Sequence, residues 1–432
     1  MDPDLGIYKH RKTLQNDHTY DYLNNDKNEN DENDNDDSMK DENNDDYYDG
    51  YLLELAIDLG DRLLPAFDTP TAIPYGTVNL RYGVPRGETT VSSLAGSGSL
   101  TLEFTMLSQL TGNVDYKIKS QLAVFSLLEK RTDLGLLGKH VNIRSGKWSE
   151  SISGLGSNAD SFYEYILKMY LLFGEEEWWW TFLEIYESIN NHLKKGDWFQ
   201  DVDTFNGQNR RSRFENLMAF WPGVLVLMGE IDEGARILNA FFLVWHDWGF
   251  LPEEFDFVSW QLSGTNMYPL RPELIESIYL MHQATHDDSW LWAGQDMMTS
   301  LQKYTKTKCG YATIKNMATL ELGEEMPSYY LAETLKYLYL LYDPNNFIHK
   351  KPYIFSTEAH PFLSVSNGYL STRNITTTAK KSQSTNDEVE IEVDIQGQTI
   401  DSTQQQKIQA EKEKEEDVQK DKKLKEDEEE EE

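Results

Sequence analysis

The sequence predicts an all-α fold made of stacked helical hairpins, and three observations lead to that prediction. Polar turns recur beside apolar helical runs about every 60 residues, at Asp49-Gly50, Gly112-Asn113, Gly174-Glu175, Gly229-Glu230, His286-Asp287 and Tyr342-Asp343. Each interval holds two largely apolar runs, many with apolar residues at i, i+3, i+4 and i+7, the spacing of a half-buried helix. The β-rich stretches, such as GTVNLRYG and KHVNIRSGKW, are short and fit connecting hairpins better than the core of a sheet.

The number of intervals predicts how far the hairpins extend. Five hairpins make an open arc, and a closed ring needs more. No helical pattern follows Tyr342. We therefore expect the first hairpins of a ring to be missing from this chain, because only an Asn/Asp-rich stretch precedes residue 50.

The composition divides the chain of 432 residues into three parts. Residues 1–46 are rich in Asn, Asp and Glu, and we expect disorder because such a segment cannot bury enough apolar surface to offset its chain entropy. Residues 47–365 have the composition of a globular domain. Residues 366–432 are rich in Ser, Thr and Gln and then in Lys and Glu, which again predicts disorder. Calcium buffering or partner docking by the acidic ends remains an alternative.

Charge and composition exclude several classes of protein. The formal net charge is −34, and no basic footprint for nucleic acid is present. No stretch reaches the eighteen or so apolar residues of a transmembrane helix. The single cysteine, Cys309, excludes an internal disulfide framework. The first twenty residues lack the apolar region of a signal peptide, which taken alone predicts the cytosol.

Two acidic pairs stand at helical spacing. Asp160 and Glu164 are four residues apart and therefore share one face of a helix whose continuation is too apolar for a surface helix. In YPLRPELIES, Pro272 suits the start of a helix, so that Glu273 and Glu276 fall in or near its first turn. We expect the helix N-terminus to favour the ionised carboxylate that a general base needs. Taken singly, the first pair is more often a solvated face and the second a helix start with a favourable charge cap.

Other candidates are weaker when taken alone. Glu253 lies in a loop, where scaffolds often present functional groups, although a solvated loop is the alternative. Glu333 interrupts a strongly apolar helix and therefore needs a partner or a role. Thr357 and Glu358 follow the last repeat, and threonine oxygens are of the type that calcium binds. A plug that closes the core is the alternative for this last segment.

Together these motifs resemble glycoside hydrolase family 47, the class I α-1,2-mannosidases, and most closely its ER degradation-enhancing branch. Seven segments follow the family in order between about residues 46 and 365: LLPAFDTPTAIPYGTVNL, SLTLEFTMLSQLTGN, GKWSESISGLGSNADSFYEYILKMYLLFG, YPLRPELIES, KCGYATIKN, YYLAETLKYLYLLYDPNNFIHK and YIFSTEAHPF. Gly96 and Asn158 favour the degradation-enhancing branch, since processing mannosidases carry an acidic residue and an Arg there.

The resemblance implies an (αα)7 barrel and inverting hydrolysis of terminal α-1,2-linked mannose on high-mannose N-glycans. Asp160 and Glu273 match the catalytic carboxylates, with Glu273 the base that activates water, and Glu253 matches a further catalytic-site acid. Thr357 matches the threonine that binds Ca²⁺. Tyr329 matches the aromatic residue under the bound sugar. The sugar- or water-binding positions are matched by Glu164, Arg271, Glu276, Glu333 and Glu358.

The resemblance also implies a place and partners for the protein. It predicts the lumen of the endoplasmic reticulum, and the sequon at Asn374 agrees with a secretory compartment. The expected substrates are high-mannose N-glycans on misfolded glycoproteins marked for degradation, and an ER oxidoreductase is a further expected partner. Relatives in this branch usually pair a cysteine at the position of Ser93 with the one that matches Cys309, so we expect Cys309 to be free here.

One departure from the family bears on activity. Family members carry a Phe-Glu-x-x-Ile-Arg segment whose Glu is a catalytic acid, and this chain has no such segment. We therefore weigh a second hypothesis, a catalytically impaired protein of the same family that binds glycans or client proteins. Pro327 also replaces an acidic residue ahead of the helix that carries Glu333.

Overall fold

The computed structural model describes residues 50–364. The predictions of disorder for residues 1–46 and 366–432, and the sequon at Asn374, lie outside the described residues. The helices are α1 (Tyr51–Leu63), α2 (Leu94–Gly98), α3 (Thr101–Thr111), α4 (Val114–Leu128), α5 (Asp160–Phe173), α6 (Glu176–His192), α7 (Trp221–Met228), α8 (Ile231–Trp248), α9 (Glu273–Thr285), α10 (Asp288–Tyr304) and α11 (Leu335–Tyr342). Shorter helical turns are Leu64–Phe67, Asn216–Phe220, the π-helical Tyr330–Thr334, and Phe347–Lys350.

Helices α3 to α10 form four consecutive hairpins, each closed by a tight turn at one of the predicted positions. Gly112, Gly174 and Gly229 end α3, α5 and α7 in the left-handed region, with φ of 74°, 76° and 100°. Glycine adopts this conformation without the steric cost that a Cβ imposes. The fourth turn uses His286 at φ 52°. The repeat that the sequence shows therefore marks the turn inside each hairpin.

The helices form two rows. In the inner row, α5 packs against α3 and α7, and α9 packs against α7 and α11. Each of α4, α6, α8 and α10 packs on its own hairpin partner and forms the outer row. The inner helices are the more apolar ones; in α5 the fully buried side chains include Phe162 and Leu167. This two-row packing of hairpins confirms the predicted fold class.

Small sheets occupy the connections between hairpins. The strands are β1 (Val91–Ser93), β2 (His140–Asn142), β3 (Ile152–Ser153), β4 (Lys194–Lys195), β5 (Trp198–Phe199), β6 (Asp201–Asp203), β7 (Asn209–Arg211), β8 (Phe214–Glu215), β9 (Glu254–Asp256), β10 (Gln261–Leu262), β11 (Ile314–Asn316), β12 (Glu321–Leu322), β13 (Tyr353–Phe355) and β14 (Pro361–Leu363). All pair antiparallel in sheets of two or three strands. Each long connection runs from the end of an outer helix to the start of the next inner helix, so its loops border the N-terminal ends of the inner row.

The last hairpin, β13–β14, packs against α5. The backbone N–H of Thr357, at its tip, donates to the Tyr165 hydroxyl at 3.4 Å. The Ser364 hydroxyl donates to the Leu171 carbonyl at 2.9 Å, and the Lys336 ammonium donates to the Ala359 carbonyl at 2.8 Å. The hairpin is therefore fixed to two inner helices, as a plug in the core would be.

The described residues form an arc of hairpins and not a closed ring. At one end of the arc, α1 exposes apolar side chains, with Tyr51 57% and Leu52 65% exposed. Within residues 50–364, no helix is both long and apolar enough to cross a membrane. Cys309 is exposed and free, as expected, and the Ser93 hydroxyl caps α2 by accepting the Gly96 N–H at 3.0 Å.

Candidate active site

Three inner helices begin with a site carboxylate. Asp160 is the first residue of α5 and Glu273 the first of α9, while Glu333 lies in the π-helical turn that leads into α11. The three side chains share one electrostatic environment, since the negative charge of Asp160 raises the pKa of Glu273, which in turn raises that of Glu333. The fold thus brings together residues from positions 160, 273 and 333 of the sequence.

The backbone is strained next to several of the predicted site residues. Asn158, Leu270 and Ala359 have φ of 70°, 65° and 55°, in the left-handed region that side chains rarely adopt. Each lies within three residues of a predicted site residue, and the Thr334 hydroxyl holds Leu270 by donating to its carbonyl at 2.8 Å. Strain of this kind persists where surrounding contacts enforce it, and it concentrates at functional sites. A π-helical turn such as the one that carries Glu333 has the same tendency.

Arg271 pairs with Glu253 through two contacts. Its Nε donates to Glu253 Oε1 at 2.5 Å and its second nitrogen to Oε2 at 3.3 Å. The guanidinium carbon also lies 5.8 Å from the ring centre of Tyr329, whose hydroxyl donates to the Pro269 carbonyl at 2.9 Å. The predicted residues Glu253, Arg271 and Tyr329 therefore form one contiguous group beside Glu273. Glu254 points elsewhere and pairs with Arg213 at 2.6 Å.

Burial controls the protonation of Glu273. It raises the pKa of this carboxyl to about 8, and the nearby Arg271 only partly offsets the effect. The atom Oε2 is buried and has no hydrogen-bond partner among the described residues. The backbone at the start of α9 lowers this pKa, as expected of a helix N-terminus, but desolvation outweighs it. Pro272 is the residue just before the helix and not its first residue.

A buried ammonium group joins two of the predicted substrate-binding carboxylates. Lys168 is 2% exposed and forms an ion pair with Glu164, one turn earlier on α5. Its Nζ also lies 3.9 Å from Glu276 Oε1, which accepts the Tyr337 hydroxyl at 3.2 Å. Burial raises the pKa of Glu276 to about 7, with Lys168 opposing it. The lysine stabilises two carboxylates that would otherwise repel each other.

Negative charge is in excess around Glu333. Burial raises its pKa to about 9, and the carboxyl groups of Glu273, Glu276, Glu358 and Glu164 raise it further. Burial likewise raises the pKa of Asp160 to about 6, partly offset by the Ser161 N–H that its side chain accepts at 2.9 Å. Glu358 remains exposed at the hairpin tip.

Three site residues, Tyr165, Glu103 and Lys168, escaped the sequence reasoning. The Tyr165 hydroxyl donates to Glu103 Oε1 at 2.7 Å while it accepts the N–H of Thr357. The surrounding protein raises the pKa of Glu103, with Tyr165 partly offsetting this, although the side chain keeps access to solvent. Glu103 interrupts an apolar helical run as Glu333 does, and this pattern could have identified it from the sequence. Lys168, the lone cation in the apolar part of α5, gave a similar signal.

The negative charge around Glu333 would suit a bound cation. Among the described residues, no three His, Cys, Asp or Glu side chains are close enough to hold a metal ion directly. Yet burial keeps a proton on Glu333, and repulsion from several surrounding carboxyl groups adds to this effect. A divalent cation near this cluster would relieve that repulsion, and hard oxygen ligands suit calcium.

Comparisons with known proteins agree with this architecture. The chain is similar to an α-1,2-mannosidase from Trichoderma reesei with a TM-score of 0.66 and 26% identity, over 72% of this chain and 74% of that one. It is 44% identical to Alpha-mannosidase I MNS4 of Arabidopsis thaliana, over 72% of this chain and 51% of the relative. It is 40% identical to ER degradation-enhancing alpha-mannosidase-like protein 2 of Homo sapiens, over 72% of this chain and 57% of the relative.

Fold and site together define a protein of stacked helical hairpins, with carboxylates at or just before the start of its inner helices. The family model of glycosyl hydrolase family 47 matches residues 19–364, and the chain belongs to this family. The structure of a D-mannose isomerase, at 12% identity and a TM-score of 0.55, shares the fold alone. The chain spans about half the length of the curated relatives that it matches.

Proposed function

We propose that this protein hydrolyses terminal α-1,2-linked mannose from high-mannose N-glycans with inversion at the anomeric carbon. The observation that carries the proposal is the convergence of Asp160, Glu273 and the Glu253–Arg271 pair at the N-terminal ends of α5 and α9. Inverting glycosidases use two carboxyl groups with room for a water molecule between one of them and the sugar. The family membership supports the same chemistry.

The roles follow from the surroundings of each residue. Glu273 is the general base, since its Oε2 has no protein partner among the described residues and can accept a proton from water. Asp160 is the second carboxyl group, close enough that its charge raises the pKa of Glu273. Glu253 is a further site acid whose orientation the two contacts with Arg271 fix. The same contacts fix Arg271, which can donate to sugar hydroxyls, and the Tyr329 ring offers a face for the sugar.

Calcium is the ion that we propose for the cluster around Glu333. Thr357 would hold it with its hydroxyl and carbonyl oxygens, and Glu164, Glu276, Glu333 and Glu358 would hold its water ligands or the sugar. When bound, the ion would polarise and orient a sugar diol. Its charge would also favour ionisation of nearby carboxyl groups, whose pKa values are raised without it.

The cellular role belongs to the same proposal. Several relatives carry the name ER degradation-enhancing alpha-mannosidase-like protein. We therefore place this protein in the endoplasmic reticulum, acting on high-mannose glycans of misfolded glycoproteins. An ER oxidoreductase is a further proposed partner.

A second candidate is glycan or client binding without hydrolysis. It is favoured by the pKa of about 8 for Glu273, because a protonated carboxyl cannot act as a base at neutral pH. The two candidates differ in whether sugar is released.

The test incubates the full chain with a free high-mannose oligosaccharide and calcium, and measures released mannose by mass spectrometry. We expect release that a chelator abolishes, and a loss of at least about 100-fold in Glu273→Gln. Glu254→Gln is the control, because that carboxylate pairs with Arg213 and not with Arg271. Retention on a high-mannose column without release supports the binding candidate, and neither release nor retention contradicts both.

A further inference from the structure

A second buried charge cluster lies under the loop that leads into α5. Lys139 Nζ is 3.0 Å from Asp201 Oδ1 and 3.8 Å from Glu215 Oε1. The three side chains are only 8%, 7% and 12% exposed. They come from separate segments, since Lys139 precedes β2, Asp201 begins β6 and Glu215 ends β8. None of the three is among the residues assigned to sugar or calcium above.

The loop of residues 154–158 rests directly on this cluster. A Cβ added at Gly154 would lie 2.0 Å from Asp201 Oδ1, and one added at Gly156 would lie 2.4 Å from Glu215 Oε2. Glycine therefore permits the approach of backbone to buried charge. Glu215 Oε2 also accepts the backbone N–H of Ser157 at 2.9 Å. The cluster holds the loop by contact and by a charge-assisted hydrogen bond.

The loop in turn sets the start of α5. The backbone N–H groups of Ala159 and Asp160 both donate to the Gly156 carbonyl at 3.1 Å. Between them and Gly156 stands Asn158 with its left-handed φ of 70°. Because these two hydrogen bonds fix the start of α5 to Gly156, a shift of Gly156 moves the Asp160 carboxyl.

We propose that Glu215, held in place by Lys139 and Asp201, is a positioning residue for Asp160. It fixes the loop of residues 154–158 through Ser157 and thereby sets where the Asp160 carboxyl stands in the site. The catalytic consequence rests on the proposed function, whereas the structural one does not. A misplacement of about 1 Å in a reacting group costs about 100-fold in rate. Glu215 therefore affects the rate although it touches no substrate.

The arrangement explains why three charges are buried together. Lys139 offsets the repulsion between Asp201 and Glu215, and removing one member would leave an unpaired buried charge. Burial raises the pKa of Glu215, Lys139 partly offsets this, and the charge of Glu215 is among those that raise the pKa of Asp160. Glu215 and Asp160 are thus also coupled electrostatically.

The test compares Glu215→Met, which keeps the length of the side chain but lacks an acceptor, with Glu215→Gln, whose amide oxygen can still accept from Ser157. Hydrogen–deuterium exchange of the amides of Ala159 and Asp160 is measured together with kcat and KM for mannose release. For Glu215→Met we expect exchange at least about 10-fold faster and kcat about 100-fold lower, with KM changed much less. Glu215→Gln should remain within about 3-fold of wild type in both.

Two further variants keep the result interpretable. Glu215→Ala, which admits water into the space, should show the same local loss of protection. Glu233→Met is the matched control, because Glu233 forms a partly buried ion pair with Lys194 away from the loop, and it should leave kcat and the two amides unchanged. If Glu215→Met and Glu215→Ala exchange and turn over like wild type, the inference is overturned. If wild type releases no mannose, the proposed function fails, and the exchange data alone decide whether Glu215 holds the loop.

Discussion

Several carboxyl groups of the site hold protons that surface carboxyl groups would release at neutral pH. The pKa rises to about 8 for Glu273 and about 9 for Glu333. At each of them burial is the largest cause, and neighbouring carboxyl groups add to it. A helix N-terminus contributes only a fraction of the free energy that full desolvation of a charge costs. At the residue scale, these buried carboxyl groups therefore lower the free energy of unfolding at neutral pH unless a cation binds.

Glu333→Gln removes one of these charges without changing the shape of the side chain. At pH 9.5, above the raised pKa of Glu333, we expect the variant to unfold at a higher temperature than wild type, by on the order of 3 °C, because a buried, repelled charge is gone. The difference should shrink as the pH falls and vanish near about pH 3.5, where the carboxyl group of Glu333 is protonated in the folded and the unfolded state alike. Thermal unfolding by circular dichroism, without calcium, measures both.

The control for this prediction is Glu321→Gln. Glu321 forms an exposed pair with Lys315, and such pairs contribute little to stability. An equal or lower unfolding temperature for Glu333→Gln at pH 9.5 would show that Glu333 is already compensated by a partner.

The positions of the candidate site residues on helices could be predicted from the sequence more readily than their protonation. Asp160 and Glu273 could be placed because helical spacing and Pro272 locate the starts of α5 and α9. Lys168 and Tyr165 were missed, since their partners come from other helices or from the hairpin tip. Protonation depends on burial, which a sequence without a fold does not specify.

At the scale of elements, the short turns and the long connections have different roles in the fold. The turns at Gly112, Gly174 and Gly229 only reverse the chain, and their residue type made them predictable. The long connections carry β-hairpins, strained residues and the glycine loop that place the site carboxylates. Their conformation follows from tertiary contacts such as Glu215 to Ser157, which the local sequence does not encode. The sequence therefore predicted the scaffold well and the geometry of its loops poorly.

Tyr165 joins three of these elements, and Tyr165→Phe tests that role. Loss of its hydroxyl frees both Glu103 and the N–H of Thr357 at the hairpin tip. We expect at least about 10-fold weaker calcium binding, read by terbium luminescence with calcium competition, because the proposed threonine ligand loses its anchor.

Tyr163→Phe is the matched control, since that hydroxyl lies on the same helix but contacts the Gly154 carbonyl at 3.5 Å and the Ser153 side chain instead of Glu103 and Thr357. It should bind calcium within about 2-fold of wild type. Equal affinities for Tyr165→Phe and wild type would contradict the anchoring role, and a wild type that binds no terbium would contradict the calcium proposal itself.

At the scale of the whole molecule, the described residues form an arc of hairpins whose inner row gathers acidic groups at one end. The raised pKa values make the folded state bind more protons than the unfolded state between about pH 4 and pH 9. The free energy of unfolding therefore falls as pH rises through that window. Groups with lowered pKa values, such as Asp203 and Asp256, act in the opposite sense, but only at more acid pH.

This linkage predicts that the calcium-free protein unfolds at a lower temperature at pH 8.5 than at pH 5.5, by on the order of 5 °C. Added calcium should raise the unfolding temperature more at pH 8.5, where the carboxyl groups of the cluster are more readily ionised. Magnesium serves as the control cation. An unfolding temperature that rises between pH 5.5 and 8.5 without calcium would contradict the buried, protonated carboxyl groups.

The most direct test of the central proposal follows the hydrolysis of a high-mannose oligosaccharide by proton NMR with calcium present. If Glu273 activates a water molecule on the face opposite the leaving sugar, the first mannose released is the β-anomer, and the α-anomer appears later by mutarotation. Initial release of α-mannose would contradict the inverting mechanism built on Asp160 and Glu273. Absence of any release, with the oligosaccharide still bound, would show that the site recognises glycans without cutting them.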